Sequence, residues 1–350
     1  MAATENSREA SARMGANSSV GPIGDTMRAV VRDSYGPPEA VELREVETPA
    51  PVDDEALVRV RATSVNPFDW HALTGVPLVA RTQTGLRAPK SNRLGVDFAG
   101  EVAAVGARVT RFRPGDEVFG VRSGAFAEYV CVREERAVAS KPANVTFEEA
   151  ASVPVAALTA LQGLRDKGGL EAGQKVLVNG ASGGVGTFAV QIAKARGADV
   201  TGVCSTRNVE LVRSLGADRA IDYTREDFTQ SGERYDLLLD IAGSRSWSEC
   251  ARVLAPRATL VIVGGPKGNR VYGSMGRVVS MRLRSVLGRR KTVFFIANPE
   301  WRDLELLAEL LGAGKVRPVV DRRYELDEIA DALRYVGDGH ARGKVVVAVA

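Results

Sequence analysis

The stretch Lys175-Val-Leu-Val-Asn-Gly-Ala-Ser-Gly-Gly-Val-Gly186, continued by Thr187-Phe-Ala-Val-Gln-Ile-Ala-Lys-Ala-Arg196, constrains this chain more than any other. A β-branched and aliphatic run ends in clustered glycines, after which Phe188, Ile192 and Ala195 recur at helical spacing. The pattern predicts strand, tight turn, helix. Such a turn holds a dinucleotide pyrophosphate: glycines let the backbone approach the phosphates, and the helix N-terminus offers unpaired N–H groups and a positive dipole end. Any strand-to-helix turn with a left-handed residue also uses glycine, so the turn alone does not decide. Its context does. Asp199-Val-Thr-Gly-Val-Cys-Ser205 reads as a second strand and Val209-Glu-Leu-Val-Arg-Ser-Leu215 as a second helix; further strands follow at Tyr235-Asp-Leu-Leu-Leu-Asp240 and Ala258-Thr-Leu-Val-Ile-Val263, before Gly264-Gly265. This alternation implies an α/β fold with a doubly wound parallel sheet and a ligand at the carboxyl ends of its strands.

The end of the second strand indicates which dinucleotide. An NAD site places a carboxylate about 20 residues past the glycines, where it accepts from the ribose 2′-hydroxyl. Here the neighbourhood is Ser205-Thr-Arg207-Asn208. Hydroxyls and a guanidinium suit a 2′-phosphate, so NADPH is the expected cofactor. In the competing reading Ser205 caps the next helix and Arg207 is a solvated charge. Tyr223 either flanks the adenosine or ends a short strand.

At 350 residues the chain has room for two cored domains. Its charged fraction of 26% and formal charge of +4, with basic residues mostly scattered, give no reason to expect nucleic acid. One exception is the region 277–291, where six arginines and lysines sit among Val, Met and Leu; it reads as a loop and amphipathic segment at a domain or subunit edge. Cys131, Cys204 and Cys250 are too few and too far apart for a disulfide framework, so a reducing, cytoplasmic setting is expected. No apolar run has membrane-spanning length. Residues 1–26, rich in Ala, Ser, Asn and Gly, read as a disordered leader.

From 27 to 152 the pattern changes to short strands punctuated by Gly36-Pro-Pro38, Pro49-Ala-Pro51 and Arg113-Pro-Gly-Asp116, which implies a small barrel-like β domain. Thr146-Phe-Glu-Glu149 has capping-box spacing and starts a helix at the junction, interrupted at Pro154. The nucleotide domain then covers 153–296 and ends on a strand at 292–296. In the segment 297–350, Asn298 reads as an N-cap with Pro299 at the first helical position, and Asp327 as the cap of a later helix. The chain closes on the strand Lys344-Val-Val-Val-Ala-Val349.

In this order the pieces resemble the medium-chain dehydrogenase/reductase superfamily, specifically its zinc-independent quinone oxidoreductase-like (zeta-crystallin-like) branch. The likeness is carried by Ser64-Val-Asn66-Pro-Phe-Asp69, Leu94-Gly-Val-Asp97-Phe-Ala-Gly-Glu-Val102, Ala157-Leu-Thr159, Ala181-Ser-Gly-Gly-Val-Gly186 and Leu215-Gly-Ala-Asp-Arg-Ala-Ile-Asp-Tyr223. The resemblance implies a GroES-like β-barrel-type catalytic domain, a Rossmann domain, a C-terminal segment that returns to the catalytic domain, a cleft between the domains, and a homodimer formed through the strand at 292–296. Where zinc alcohol dehydrogenases of the superfamily carry ligands, this chain has Asn66, Val96 and Val155, none of them an ordinary zinc donor. No metal is therefore expected, and charge developing on the substrate must be met by hydrogen bonds, water or a proton donor.

Through the same resemblance Asn66 is the leading candidate to orient substrate or the nicotinamide ribose, although Asn before Pro is also a common turn device. His71 matches a proton-relay histidine, but Phe68 replaces the hydroxyl residue that would link such a relay. Thr159 is expected beside the nicotinamide. The cofactor turn is Ala181, Ser182, Gly183, Gly184, Val185 and Gly186, with Ser205, Arg207 and Tyr223 at the adenosine end and Gly264 and Gly265 at the nicotinamide half. Lys344 either reaches the cofactor phosphates or is a strand-edge lysine. Asp69 and Asp97 organise loops in the cleft-forming motifs. The implied activity is NADPH-dependent hydride transfer to a quinone, enone or carbonyl substrate; alcohol dehydrogenase, enoyl reductase, and an NADPH-binding sensor or structural protein are the alternatives. Residues 70–90 and 266–296 are expected to set the substrate, and His340 to be structural.

Overall fold

A computed structural model describes residues 23–265, 275–286, 290–339 and 341–349. The leader up to residue 22, His340 and part of the expected substrate loop lie outside the described residues. Six strands make a parallel sheet in the spatial order Arg219–Asp222, Asp199–Cys204, Lys175–Asn179, Tyr235–Asp240, Leu254–Ile262, Lys291–Phe294. Numbered within the domain, that order is 3-2-1-4-5-6, the doubly wound arrangement whose ligand crevice opens where the order reverses. The reversal falls between Lys175–Asn179 and Tyr235–Asp240, directly above which lies the glycine turn. Both central strands have an apolar centre, Val176-Leu-Val178 and Leu237-Leu-Leu239, because both faces are covered. The helix Gly184–Ala195 buries Phe188, Ala189, Ile192 and Ala193 against this sheet and against the helix Pro154–Gln162.

The catalytic domain is built on a second, seven-stranded sheet and a hairpin of Thr26–Val31 with Glu42–Glu47. Its longest strand, Glu55–Val65, pairs with Asp97–Val105 on one side. On the other side its first half pairs with Tyr129–Arg133 and its second half with the C-terminal strand Lys344–Ala348. The last strand of the chain is thus interior, since Val320–Glu325 covers its far side. A core around Phe98, Phe126, Val118 and Val347 fills this domain.

The junction forms as the sequence predicts. Thr146 Oγ1 accepts from Glu149 N–H, the Glu149 carboxylate accepts from Thr146 N–H, and Phe147–Ala151 follows. Pro154 opens the next helix in its first turn, where its missing N–H costs nothing. The helix expected from Asn298 starts two residues later, as Trp301–Gly312. Gln162 holds Asn298 in the loop, donating to its carbonyl and accepting from its N–H, so Asn298 cannot cap. Asp327 falls inside a short 3₁₀ turn, Leu326–Glu328, that precedes Ile329–Asp338. In the basic region, Met275–Val286 forms an amphipathic helix with Val278 and Met281 buried, and Arg277 pairs with the buried Asp240 at the end of its strand.

Candidate active site

Two strand registers bring the polar residues of the catalytic domain together. Ser64 lies opposite Asp97 on one neighbouring strand and opposite Val346 on the other. Side chains two apart on a strand share a face, so Ser64, Asn66, Asp97 and Lys344 converge. Lys344 Nζ donates to Asn66 Oδ1 at 2.6 Å and lies 3.3 Å from Asp97 Oδ2. Asn66 Nδ2 donates to the same Asp97 oxygen at 2.8 Å, and Ser64 Oγ donates to it at 2.7 Å. The other Asp97 oxygen accepts from the backbone N–H of Val155, at 3.0 Å. All four side chains are buried, Asp97 completely. With a cation on its oxygen and an anion on its nitrogen, the Asn66 amide has one orientation.

Asp69 completes the cluster. It sits in the first turn of Pro67–Thr74, where its carboxylate accepts from Asn66 N–H at 2.8 Å and caps the helix. Burial is the main cause that pushes this carboxyl up to about 7; the backbone hydrogen bond from Asn66 opposes it, Asp97 adds to the rise, and Lys344 opposes it. A carboxyl raised above its unfolded value binds more protons in the folded state. Its contribution to stability is therefore full below about pH 4 and is lost as pH rises through about 7. Across that window Asp69 lowers the unfolding free energy by at most about 1.4 kcal/mol per pH unit. Asp69→Asn should remove this slope and be relatively more stable at pH 8 than at pH 4. Denaturant titrations at both pH values test it, and parallel pH profiles for the two proteins would refute the protonated Asp69.

The dinucleotide side has a cradle of the right chemistry. Gly180 is left-handed, with φ of 95°. A Cβ on Gly186 would lie 2.1 Å from the Gly180 carbonyl oxygen, so glycine is needed for the helix to start against the turn. Gly183 has only open space of that kind, with nothing nearer than 3.6 Å, and the helix beginning at Gly184 has no side-chain cap. Its first N–H groups are therefore available to an anion. Ala181 is buried and packs beside Gly202, Ser182 Oγ accepts from Asn208, and Val185 packs on the core. Ser205 follows the second strand and its Oγ also accepts from Asn208; Arg207 is exposed beside it, and Tyr223 is 55% exposed with its N–H on the Cys204 carbonyl. A Cβ on Gly264 would strike the Ile241 carbonyl oxygen at 2.5 Å, while Gly265 is exposed.

Three expected residues are placed differently from one another. Asn66 is at the centre of the cluster. Thr159 lies one turn after Val155, to whose carbonyl its hydroxyl donates. His71 is on the exposed face of its helix with Nδ1 2.6 Å from the Val76 carbonyl oxygen, and it takes no part in the cluster. Lys344 requires a correction. It is not a strand-edge lysine but buried: its ammonium is held by Asn66 and Asp97, and its methylene stem passes the glycine turn, where a Cβ on Gly184 would meet Lys344 Cδ at 3.1 Å.

Sequence reasoning missed Arg342. Its Nε donates to Asn208 Oδ1 at 2.7 Å and its Nη2 reaches the Arg207 carbonyl, while the next residue, Gly343, donates its N–H to the Ser182 carbonyl. Arg342, Gly343 and Lys344 thus touch the end of the second strand, the glycine turn and the buried polar cluster in succession. An Arg-Gly-Lys run before a terminal strand was the available signal, but it has no local pattern that names its partners.

The parallel sheet and its glycine turn are those of a dinucleotide-binding fold, and comparison with known proteins gives the class of a nicotinamide-linked oxidoreductase. Residues 52–143 match the alcohol dehydrogenase GroES-like domain, and residues 215–347 match a family described as zinc-binding dehydrogenase. The chain is 35% identical over 341 residues to a chloroplast envelope quinone oxidoreductase homolog of Arabidopsis thaliana, covering 93% of this chain and 99% of that one. It is 36% identical over 361 residues to the mitochondrial NAD(P)H oxidoreductase RTN4IP1 of Mus musculus, covering 92% and 89%. Among solved structures, the quinone oxidoreductase from Coxiella burnetii superposes with a TM-score of 0.80 at 29% identity, covering 93% of this chain and 100% of that one. The chain belongs to the medium-chain dehydrogenase/reductase superfamily, in its quinone oxidoreductase-like branch. It is an oxidoreductase of the nicotinamide-dependent kind. Among the described residues no helix is long and apolar enough to cross a membrane.

Proposed function

We propose that this protein is a zinc-independent, NADPH-dependent reductase of quinones, enones or carbonyl compounds. The observation that carries the reading is the contiguity of the buried Lys344–Asn66–Asp97 array with the glycine turn, through the stem of Lys344. NADPH bound there supplies the hydride. Asn66 has a second amide hydrogen beyond the one given to Asp97, and it orients the substrate oxygen or the nicotinamide ribose as charge develops. Lys344 and Asp97 hold that amide in register. The residues do not suit zinc: Asn66, Val96 and Val155 offer no thiolate, imidazole or carboxylate, and the positive charge beside Asp97 is the Lys344 ammonium. Ser205, Arg207 and Arg342 around the end of the second strand support NADPH over NADH.

The reading includes a homodimer joined along Lys291–Phe294, the terminal strand of the nucleotide sheet, and a cytoplasmic setting. Cys131, Cys204 and Cys250 are buried and free, their thiols pushed up to about 11, 11 and 12 chiefly by burial, which makes them unreactive.

The test is oxidation of NADPH and NADH against quinones, enones, aldehydes and ketones. Turnover with NADPH is expected, and Arg207→Ala should weaken NADPH by roughly ten- to a hundredfold while leaving NADH within about threefold, the span of a hydrogen bond to a charged group. Equal losses would remove the 2′-phosphate assignment. Tight NADPH binding with no turnover on any acceptor would move the reading to a sensor.

A further inference from the structure

A cavity of about 140 Å³ is cut into the catalytic domain between the helix Pro67–Thr74 and residues 90–96. It adjoins the candidate active site, because Asp69 and Val96 belong to its wall. Its lining is unusual for this molecule. Arg32, Lys90 and Arg93 all face it, and Asp69 is the one carboxylate among the lining residues. Elsewhere the arginines are commonly paired with carboxylates, as Arg28 is with Glu128, Arg44 with Asp33 and Arg165 with Asp303. Among the described residues, no carboxylate lies within ion-pair distance of Arg32, Lys90 or Arg93.

Two of these cations are also poorly satisfied. Arg32 is 4% exposed; it donates Nη1 to the Ala72 carbonyl and stacks on Tyr35, yet its Nε is buried with no partner. The Nε of Arg93 is likewise buried and unpaired. Burial disfavours both guanidinium charges, and the Tyr35 phenol only partly offsets this for Arg32. Buried donors and charges without partners are rare and costly, and here the two arginines that carry them line one cavity. An oxyanion in the cavity would supply the countercharge that both guanidinium groups lack, since such groups match carboxylate and phosphate oxygens with parallel donors. At roughly 30 Å³ per water the space holds about five waters' worth of volume. That is room for a small anionic group.

We propose that the acceptor reduced by this enzyme carries a small oxyanion, a carboxylate or a phosphate, seated between Arg32 and Arg93 with the exposed Lys90 at the rim, so that the reacting carbon extends toward Asn66. The inference rests on the oxidoreductase reading above and narrows its substrate class to anionic acceptors.

The experiment compares two enones that share a reacting centre and end in a carboxylate or in its methyl ester, with NADPH as donor. The wild-type enzyme should favour the acid in kcat/KM by at least about tenfold, as expected for a charge-assisted contact. Arg93→Gln should bring the acid-to-ester ratio close to one; the ratio cancels general damage to the enzyme, and the wild-type comparison needs no variant. A phosphate monoester of the same enone separates the two oxyanions, and preference for either over the ester supports the site. An ester used as well as the acid would overturn the anion site and leave the reductase standing, as would neutral quinones reduced while neither enone reacts. An acid preference that survives in both Arg93→Gln and Arg32→Gln would overturn the assignment to this cavity. Failure of every acceptor would overturn the oxidoreductase reading itself, and the inference with it.

Discussion

Lys344→Met is expected to cost about 3–5 kcal/mol of stability, because it strands the fully buried Asp97 carboxylate and leaves Asn66 Oδ1 without its donor. Turnover should fall as well, with kcat reduced more than KM is raised, since Asn66 loses the contact that fixes its amide. Stability and chemistry can be separated. The double variant Lys344→Met/Asp97→Asn removes both charges and should recover most of the lost stability, for a buried pair contributes much less than either partner costs when left alone. Turnover should stay low in the double variant, because no cation then holds Asn66. Chemical denaturation and steady-state kinetics on the three proteins read both. A single variant within about 1 kcal/mol of wild type would show that the ion pair does not organise the site.

Gly186→Ala should be the most damaging methyl addition in the nucleotide domain. The new Cβ would lie 2.1 Å from the Gly180 carbonyl oxygen and 2.8 Å from Ala181 backbone atoms, which cannot swing aside as a side chain would. Overpacking of this kind costs about 1–3 kcal/mol. It also displaces the helix N-terminus from the turn, so affinity for NADPH and NADH should fall together by about tenfold or more, equivalent to about 1.4 kcal/mol. The control is the same substitution at Gly276, where no atom lies within 4 Å of the added carbon and the backbone is helical. There alanine should be neutral or stabilise by up to about 1 kcal/mol. Thermal unfolding and cofactor titration compare the two. Equal effects at both positions would mean that the close approach of turn and helix is not what holds the cradle.

The two variants divide along what the sequence made readable. The glycine turn, the strands on either side of it and the capping box at Thr146 are local patterns: each depends on residues within a few positions, so their spacing carries the structure. Helix starts were less readable where a distant partner intervened. Asn298 has the chemistry of a cap and Pro299 follows it, but Gln162 claims the backbone of Asn298 from another helix. His71 matched a relay position in the motif, yet the helix turns it outward while Asp69, two residues earlier, turns inward.

Lys344 marks the same boundary most clearly. Beside a glycine at the head of a terminal strand, a lysine looks like an edge residue, and nothing near it in sequence indicates otherwise. The sequence by itself determined the alternation of strands and helices, the dinucleotide cradle and the polar motif around Asn66, because periodicity and turn chemistry act over short separations. Only the tertiary structure decided that the last strand would lie between Glu55–Val65 and Val320–Glu325, and so which residues the lysine would meet. The physical reason is strand register. Pairing Val345 with Val65 and Ser64 with Asp97 sets three distant segments side by side, and burial then obliges the ammonium, the amide and the carboxylate to satisfy one another.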